Sequence, residues 1–449
     1  MNEHMTWSRA ANRADGRFRL IAPMRTWPAW LGLLFALCMV IAAAASFTSS
    51  MTSASFGLNF LRMGSLDASD SWGPMQIAIE HLRNQPEVPV YQAIFFTDKV
   101  KFQYPLSSLI AIDLFQQASG LRWETVISLL NRLSWYSVWL TGFVCWRLFI
   151  HSRDETEGAA SPSASQDAWL LWPCLGLTVL FYPLSKSYAL GQIQTLLTLA
   201  GALALLAWQA DRKLLAGLFI GLCCAVKPQW GVVLLWAAMR REWGFCAVVA
   251  GVCGAITLAA LARYGLHNYL DYLSVLSFLG QHGEAYFPNQ SVNGLLNRLL
   301  FNGGNLTFNI HGFPEERPVI AVLTLVSSVL ILGAAIWVRH TVRPGALDLA
   351  IMLLAATMAS PIAWEHHYGI LLPIFALLAP VCLVRRSLGF WNMPVLAAAY
   401  ILASQRFDVF NRAADTPFNI LQSYLFFAAI AVLILLFMTA GSERASSAG

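Results

Sequence analysis

The chain has 449 residues, of which 57% are hydrophobic and 12% are charged, and its formal net charge is +5. Soluble domains carry roughly 25% charged residues, so this composition excludes an ordinary soluble enzyme, a disordered chain and a nucleic-acid-binding protein. It is typical of a polytopic membrane protein, in which a small basic excess reflects loop asymmetry across the bilayer.

Apolar segments with the character of membrane helices recur along the whole chain. The first follows a basic N-terminus and is too long for a cleavable signal, so we interpret it as a membrane helix whose N-terminus lies in the cytoplasm. The thirteen segments lie near residues 28–48, 104–118, 126–149, 169–184, 190–208, 214–227, 229–239, 243–263, 318–338, 347–363, 368–384, 391–405 and 418–438. They indicate one integral membrane domain over residues 1–449.

Short basic loops between the apolar segments determine the predicted topology, because the positive-inside rule places them in the cytoplasm. They contain Arg212-Lys213, Arg240-Arg241, Arg339 with Arg343, and Arg385-Arg386. Thirteen crossings would put these loops outside, so one segment does not cross. We choose 104–118, which has about 15 residues where about 20 are needed and which carries Asp113. The sequence predicts an all-α bundle of about twelve transmembrane helices in the cell (inner) membrane, with both termini in the cytoplasm.

Three loops are longer than the others. Residues 151–168 are polar and predict a flexible cytoplasmic loop, whereas residues 49–103 and 264–317 face outside in this topology. Apolar side chains at helical spacing predict an amphipathic juxtamembrane helix on the outer membrane face in each outer loop. They are Met75, Ala78, Ile79 and Leu82 in the first loop, and Tyr269, Tyr272, Leu273 and Leu276 in the second. Loops of this length usually serve a function.

Two short apolar segments, 214–227 and 229–239, meet at Lys227-Pro228. A single helix over both segments would place Lys227 in the middle of the bilayer. It would also place the two basic loops, at Arg212-Lys213 and Arg240-Arg241, on opposite sides of the membrane. We therefore predict two short helices that meet on the outer side. There Lys227, with Gln229 beside it, can hold a phosphate as a point charge. The alternative is a lysine that snorkels to the interface.

The first outer loop carries two carboxylates three residues apart, Asp67 and Asp70. One helical turn would place both on the same face, where a carboxylate can accept a proton from a hydroxyl nucleophile. Ser69 or Asp70 is also a reasonable N-cap for a helix that begins near Pro74, so a purely structural interpretation stays open.

Another predicted outer loop carries Glu365, His366 and His367. Adjacent histidines lack the four-residue spacing that two metal ligands on one helix face need, so we favour contacts to a phosphate and a sugar hydroxyl over a metal site. Trp364 fits either stacking on a sugar or anchoring at the interface. In the second long loop, Arg298 matches a phosphate in bidentate geometry, and its alternative is a solvated loop charge.

Several of these residues belong to short motifs whose order resembles that of glycosyltransferase family 87, in the GT-C superfamily of polyprenyl-phosphate-dependent transferases. The motifs are ASDSW (68–72), Tyr91, FQYPL (102–106), LGQIQ (190–194), VKPQW (226–230), RREW (240–243), NQSVNG (289–294) and SPIAWEHH (360–367). The chain departs from the family pattern at Leu106, where the family usually has proline, and at Gln194, where it often has asparagine. These departures concern the donor sugar and the acceptor more than the reaction class.

The resemblance implies a GT-C membrane bundle and a reaction. The donor would be a polyprenyl phosphate carrying one sugar, often mannose or another hexose, and the sugar would pass with inversion to a lipid or glycan acceptor at the outer face. Asp70 aligns best with the family's base, and Asp67 is the reserve. The residues at the positions of phosphate and substrate contacts are Lys227, Gln229, Arg298, His366, His367, Glu365, Gln192, Tyr104 and Asn289.

The expected partners are the polyprenyl-phosphate sugar, the acceptor and membrane lipid, with no nucleic acid. No cofactor is expected, and the scattered acidic residues argue against a divalent metal. Two other functions share the membrane topology. A lipid-linked glycan flippase or transporter would usually show internal repeats and midplane polar residues, whereas here the polar residues gather at one face. A polymerase or ligase of surface glycans would tolerate Asp70→Asn.

Overall fold

The computed structural model describes residues 27–47, 49–157, 164–338, 345–384 and 391–447. Within these ranges the chain forms α-helices and short 3₁₀ and π segments, and its only β-type pairing is an isolated bridge between Asn289 and Trp364. The all-α prediction is therefore confirmed.

The α-helices account for most of the described chain. They are α1 (Trp27–Ala45), α2 (Ser53–Leu61), α3 (Trp72–Asn84), α4 (Ile110–Ser119), α5 (Trp123–Glu157), α6 (Ala164–Val179), α7 (Tyr182–Ala189), α8 (Gln194–Gln209), α9 (Lys213–Val226), α10 (Val232–Met239), α11 (Trp243–Tyr264), α12 (Leu266–His282), α13 (Val292–Leu299), α14 (Pro318–Trp337), α15 (Ala346–Met358), α16 (Leu371–Val384), α17 (Asn392–Ser404) and α18 (Tyr424–Ser447). The short segments are a π-helix at Tyr91–Thr97 and 3₁₀ helices at Leu106–Ser108, Pro228–Gly231, Glu365–Ile370, Asp408–Ala413 and Pro417–Ser423.

Each of the thirteen apolar segments coincides with a helix, but the count of about twelve spans is not confirmed. In the described chain, five helices are long and apolar enough to cross a membrane, and a sixth span is formed if α6 and α7, bent by 59°, are taken together. Several other apolar helices are shorter. The 14 residues of α9, for example, extend about 21 Å, less than the roughly 30 Å of a hydrocarbon core.

The segment that was predicted not to cross is indeed short. Helix α4 has 10 residues, and Asp113 within it is fully buried. The Asp113 carboxylate accepts hydrogen bonds from Arg83, Arg263 and the Tyr264 hydroxyl, the last at 2.6 Å. This ion-pair cluster joins α4 to α3 and α11.

The break at Lys227-Pro228 is also present, because α9 ends at Val226 and α10 begins at Val232. At the other end of these helices, Lys213 Nζ lies 2.6 Å from Glu242 Oε1, and Arg240 donates to the carbonyl of Val338 at 2.7 Å. The basic loops thus meet at the end of the bundle that is opposite Lys227. Arg339, Arg343, Arg385 and Arg386 lie outside the described residues.

Two glycines one turn apart let α9 approach α11 closely. A Cβ at Gly221 would lie 2.8 Å from the Cβ of Val252, and a Cβ at Gly217 would lie 3.1 Å from the carbonyl oxygen of Phe245. Small residues at this spacing are typical of close helix packing in membranes. The contact fixes the short helix that carries Lys227 at its end.

The remaining loop predictions need correction. The region 151–168 was predicted to be a flexible loop, but helices α5 and α6 extend into it from both sides. Arg153 of α5 and Asp167 of α6 form an ion pair at 2.7 Å. Residues 158–163 lie outside the described chain. Residues 75–82 do form a helix, α3, but its apolar face is buried against protein and not on a membrane face. The helix of the second outer loop, α12, does leave apolar side chains exposed, including Leu273 at 58%.

Candidate active site

The loop that carries Asp70 lies against the turn between α7 and α8. The Asp70 amide donates to the carbonyl of Leu190 at 3.0 Å, and the Ser71 amide donates to that of Gly191 at 3.2 Å. Gly191 has a φ of +67°, and a Cβ there would lie 2.2 Å from the carbonyl oxygen of Ala68. Only glycine permits this approach, which fixes the backbone of Asp70.

The carboxylate of Asp70 is held by a neutral amide. Gln192 Nε2 donates to Asp70 Oδ2, while Gln192 Oε1 accepts from the Ser71 hydroxyl at 2.7 Å and from the Tyr104 hydroxyl at 3.3 Å. These two hydroxyls orient the amide so that its NH₂ group faces the carboxylate. The helix-cap interpretation is wrong, because α3 begins at Trp72 and its N-cap, Ser71, makes no side-chain cap bond.

Asp70 is accessible to solvent, whereas the next residue, Ser71, is fully buried. Partial burial raises the pKa of the Asp70 carboxyl above its ordinary 3.8, while the hydrogen bond from Gln192 and the charge of Lys186 act to lower it. A raised carboxyl pKa suits proton abstraction. Asp67 is exposed, and no hydrogen-bond or ion-pair partner for it is found among the described residues.

A narrow cleft of about 10 Å³ opens at the end of α9. Lys227 lines it and is only 7% exposed, and its ammonium group makes no hydrogen bond or ion pair within the described chain. This burial does not fit a lysine that snorkels to the interface. The other lining residues are Gln194, Gln229, Trp230, Thr357, Ser360 and His367.

Further titratable side chains lie near Lys227. The rings of His366 and His367 are perpendicular with centroids 4.8 Å apart, and His366 is close enough to both Lys227 and Lys186 to interact with their charges. Lys186 Nζ lies 2.6 Å from Glu365 Oε2. Glu365 is fully buried and also accepts from the hydroxyl of Tyr182 at 2.9 Å. Glu365 therefore acts here as the counter-ion of Lys186.

The segment with the histidines is held by the start of the Asn289–Gly294 motif. The Asn289 side chain donates to the carbonyl of Pro361 at 3.2 Å and accepts from the Ala363 amide at 2.9 Å. The Gln290 amide donates to the Ala363 carbonyl at 2.8 Å. Asn289 is fully buried, so its direct role is to position the turn before Glu365.

Arg298 is not a solvated loop charge, since it is 1% exposed. Its guanidinium donates to the carbonyl of Asn289 at 3.0 Å and to the Ser423 hydroxyl at 2.7 Å. Burial lowers the pKa of Arg298 to about 9, and the charge of Glu365 opposes this shift. The side chain does not line the cleft at Lys227, and its predicted phosphate contact stays a prediction.

The family model of glycosyltransferase family 87 matches residues 102–361, more than half of the 449 residues. The chain belongs to glycosyltransferase family 87. The predictions of this family and of a membrane glycosyltransferase are thereby confirmed.

Two curated relatives of this family 87 enzyme are mannosyltransferases. A polyprenol-phosphate-mannose-dependent alpha-(1-2)-phosphatidylinositol mannoside mannosyltransferase of Mycobacterium tuberculosis is 24% identical over 334 residues, covering 73% of this chain and 69% of the relative. A polyprenol-phosphate-mannose-dependent alpha-(1-2)-phosphatidylinositol pentamannoside mannosyltransferase of Mycolicibacterium smegmatis is 28% identical over 212 residues, covering 46% of each chain. The crystal structure of ArnT from Cupriavidus metallidurans bound to undecaprenyl phosphate aligns with 13% identity and a TM-score of 0.32, over 94% of this chain and 79% of that one.

In this family 87 glycosyltransferase, the predicted site residues fall into two groups. Asp70, Gln192 and Tyr104 form one hydrogen-bonded group, and Lys227, Gln229 and His367 border the cleft, with His366 and Glu365 close behind. Asn289 and Arg298 support the second group from outside the cleft. In the described part of the chain, no three His, Cys, Asp or Glu side chains gather into a metal site, and metal independence stays a prediction.

Several residues of the site were not predicted, among them Trp230, Thr357 and Ser360 of the cleft. Ser71 orients Gln192, and Gln194 lines the cleft. Arg406 donates to Asp408 at 2.7 Å and interacts electrostatically with Glu365. The predicted topology places Arg406 on the outer side, just after apolar segment 391–405. Its positive charge at this position could have identified it as a candidate site residue. Ser71 and Gln194 belong to the motifs ASDSW and LGQIQ, but their roles depend on contacts between distant parts of the chain, which the motifs do not contain.

Proposed function

We propose that this chain transfers a mannosyl residue from a polyprenyl-phosphate mannose donor to a glycolipid or glycan acceptor, with Asp70 as the general base. Family membership supports the reaction class. The names of the mycobacterial relatives suggest the donor and a phosphatidylinositol-linked acceptor. Another hexose in place of mannose would fit the same chemistry.

One observation carries the assignment of roles. In the turn Leu190–Gln194, the side chain of Gln192 donates a hydrogen bond to Asp70. Two residues later, Gln194 lines the cleft together with Lys227 and His367. The charge of Lys186 also reaches Asp70. A candidate base and the ammonium group of Lys227 thus lie on two sides of one short turn, and an inverting displacement needs a base and a leaving-group cation that are separated in this way.

The proposed step is a single displacement at the anomeric carbon C1. The acceptor oxygen forms a bond to C1 while its proton passes to the Asp70 carboxylate, and the bond from C1 to the phosphate oxygen breaks. The electron pair stays on the polyprenyl phosphate, whose growing negative charge faces Lys227, with His366 and His367 close by. Attack opposite the leaving phosphate inverts C1.

We place this chemistry at the outer face of the cytoplasmic (inner) membrane, with both termini in the cytoplasm. The support is that Arg240 and Lys213 lie at the end of the bundle opposite Lys227, and basic loops prefer the cytoplasm. Labelling of single cysteines introduced beside Arg241 and beside Asp67 in intact cells tests the sidedness, and labelling of the Arg241 position alone contradicts it.

The decisive experiment is a transfer assay on purified protein in nanodiscs, with a panel of polyprenyl-phosphate sugars and glycolipid acceptor. We expect polyprenyl phosphate to be released from the mannose donor by the wild type, and Asp70→Asn to lower the rate by about 10²–10⁴-fold, the usual contribution of a general base. The matched control is Asp67→Asn, which we expect to stay within a few-fold of the wild type.

The outcomes separate the hypotheses. An equal loss in both variants, or a loss in Asp67→Asn alone, removes Asp70 as the base. Full activity of Asp70→Asn contradicts the mechanism and favours a polymerase or ligase, while lipid translocation without turnover of any donor favours a flippase. Addition of EDTA should leave the rate unchanged, and a loss that Mg²⁺ or Mn²⁺ restores contradicts metal independence.

A further inference from the structure

A second cavity lies between the start of the Glu284–Asn289 segment and the loop that follows α13. Its volume is about 360 Å³, within the range of roughly 300–1,000 Å³ that is typical of small-molecule sites. Gly303 in its wall has a φ of +100°, and a Cβ there would lie 3.3 Å from the Cβ of Ala285. The loop is tied down by a hydrogen bond from the Phe287 amide to the Asn305 carbonyl at 2.8 Å.

The polar groups of this cavity suit an uncharged, hydroxyl-rich ligand. Glu284, Thr307 and Asn309 line it. Thr307 and Asn309 are exposed at the mouth of the cavity, and the Thr307 hydroxyl and Asn309 Nδ2 have no hydrogen-bond partner in the described chain, whereas Asn309 Oδ1 accepts from the His311 amide at 3.1 Å. The cavity therefore offers a free hydroxyl, free amide donors and the remaining lone pairs of a carboxylate.

The charges beside the cavity argue against a phosphate ligand. Lys101 Nζ lies 3.2 Å from Glu284 Oε2 and 4.1 Å from the ring centroids of both Phe308 and Phe313. The cation is thus neutralised by the carboxylate and covered by two aromatic rings. An anion would face the carboxylate of Glu284 without a free cation, in contrast to the cleft at Lys227.

Phe308, which follows Thr307 in the loop that lines the cavity, contacts the proposed active-site segment through aromatic rings. The ring of Phe308 lies 5.7 Å from that of Trp364 and 5.8 Å from that of Tyr286, and Trp364 directly precedes Glu365 and His366. The loop that lines the cavity therefore contacts the segment that leads to the histidines, a position suited to the part of an acceptor that does not react.

We propose that this cavity binds the non-reacting saccharide portion of the acceptor, through Thr307, Asn309 and Glu284. The proposal rests on the proposed transferase function and extends it, because it gives the acceptor a carbohydrate subsite separate from the donor phosphate cleft. Binding energy at such a remote subsite helps to position the reacting hydroxyl.

The first test is steady-state kinetics of Thr307→Val/Asn309→Leu with an oligomannosyl glycolipid acceptor. We expect the KM for the acceptor to rise roughly tenfold through the loss of two hydrogen bonds, with the KM for the donor and the rate of donor hydrolysis by water unchanged. The matched control is His311→Ala, a change of an exposed residue in the same loop that does not line the cavity. An acceptor KM within twofold of the wild type, or an equal rise in the donor KM, overturns the proposal.

The second test does not depend on turnover. Saturation-transfer NMR with α-(1-2)-mannobiose should show contact with the wild type and His311→Ala, and a lost signal with the double variant. No signal with the wild type, or an unchanged signal with the double variant, also overturns the subsite. The protein could turn over no donor and still show the expected NMR signals for the wild type and His311→Ala, with loss of signal in the double variant. That result would contradict the proposed transferase function and support the saccharide subsite.

Discussion

Two aspartates of the outer-loop region, Asp70 and Asp113, show how the same side chain is used in two ways. Asp113 is fully buried and accepts from Arg83, Arg263 and Tyr264. Burial alone would raise the pKa of Asp113, but these hydrogen bonds and the charge of Arg83 outweigh burial and lower that pKa.

Asp70 has the opposite surroundings. It keeps solvent access, its direct side-chain partner is the neutral amide of Gln192, and partial burial raises the pKa of its carboxyl. A carboxylate that is saturated by cations is a poor base, whereas one held by an amide stays available to a hydroxyl proton. The comparison shows that Asp113 joins helices, and it supports the proposal that Asp70 is the base.

The largest expected effect that separates the two aspartates is on stability. Asp113→Asn leaves Arg83 and Arg263 without their counter-ion and should destabilise the fold by about 3 kcal/mol, at the low end for a buried pair because both arginines are partly exposed. Asp70→Asn should leave the unfolding midpoint within a degree or two. Thermal unfolding in detergent measures both, and equal midpoints for the two variants would refute the assignment.

A smaller effect is expected from the turn that supports Asp70. Gly191→Ala should reduce the transfer rate by about 10²-fold, because its Cβ would collide with the carbonyl of Ala68 and shift the base by roughly 1 Å. Gly254→Ala is the control, since a Cβ at Gly254 meets no atom within 4 Å. Matching rates for the two variants would show that the turn does not position Asp70.

The smallest effect concerns pH. Asp70 accepts a proton only as the carboxylate, so the rate should fall as the pH is lowered through its pKa, which lies above 3.8. The Gln192 hydrogen bond lowers that pKa, so Gln192→Leu should raise it and move the acidic limb of the rate profile to higher pH. Asp67→Asn should not move the limb. A shift of the Gln192→Leu limb to lower pH would contradict the role of the amide.

Local features of the sequence predicted the fold well. Every apolar segment became a helix, and the break at Lys227-Pro228 appeared where the proline predicts it, because apolarity and proline geometry act over a few residues. Span lengths were less predictable. Segment 169–184, for example, was predicted as one span, whereas the chain bends by 59° between α6 and α7. Helix α7 packs against α2, where the rings of Phe56 and Tyr182 lie 5.5 Å apart, and such a contact between distant parts of the chain is not contained in the segment itself.

The site was predictable in its residue types and less so in its connections. Asp70, Lys227 and His367 were identified as candidates, but the bond from Ser71 to Gln192 joins residues 121 positions apart. The same limit explains Arg298. Its charge suggested a ligand for phosphate, whereas three-dimensional packing surrounds it with carbonyl groups of the chain.

The 3₁₀ helix Pro417–Ser423 and the start of α18 support the site although the match to family 87 ends at residue 361. Gln290 Oε1 accepts from the Phe426 amide at 3.1 Å, Gln290 Nε2 donates to the Gln422 carbonyl at 2.8 Å, and Ser423 accepts from Arg298. The family boundary is therefore a poor guide for truncation. Shortened versions that end before Phe426 would remove the support beneath the segment that positions the histidines, and affinity tags are better appended after the full length of α18.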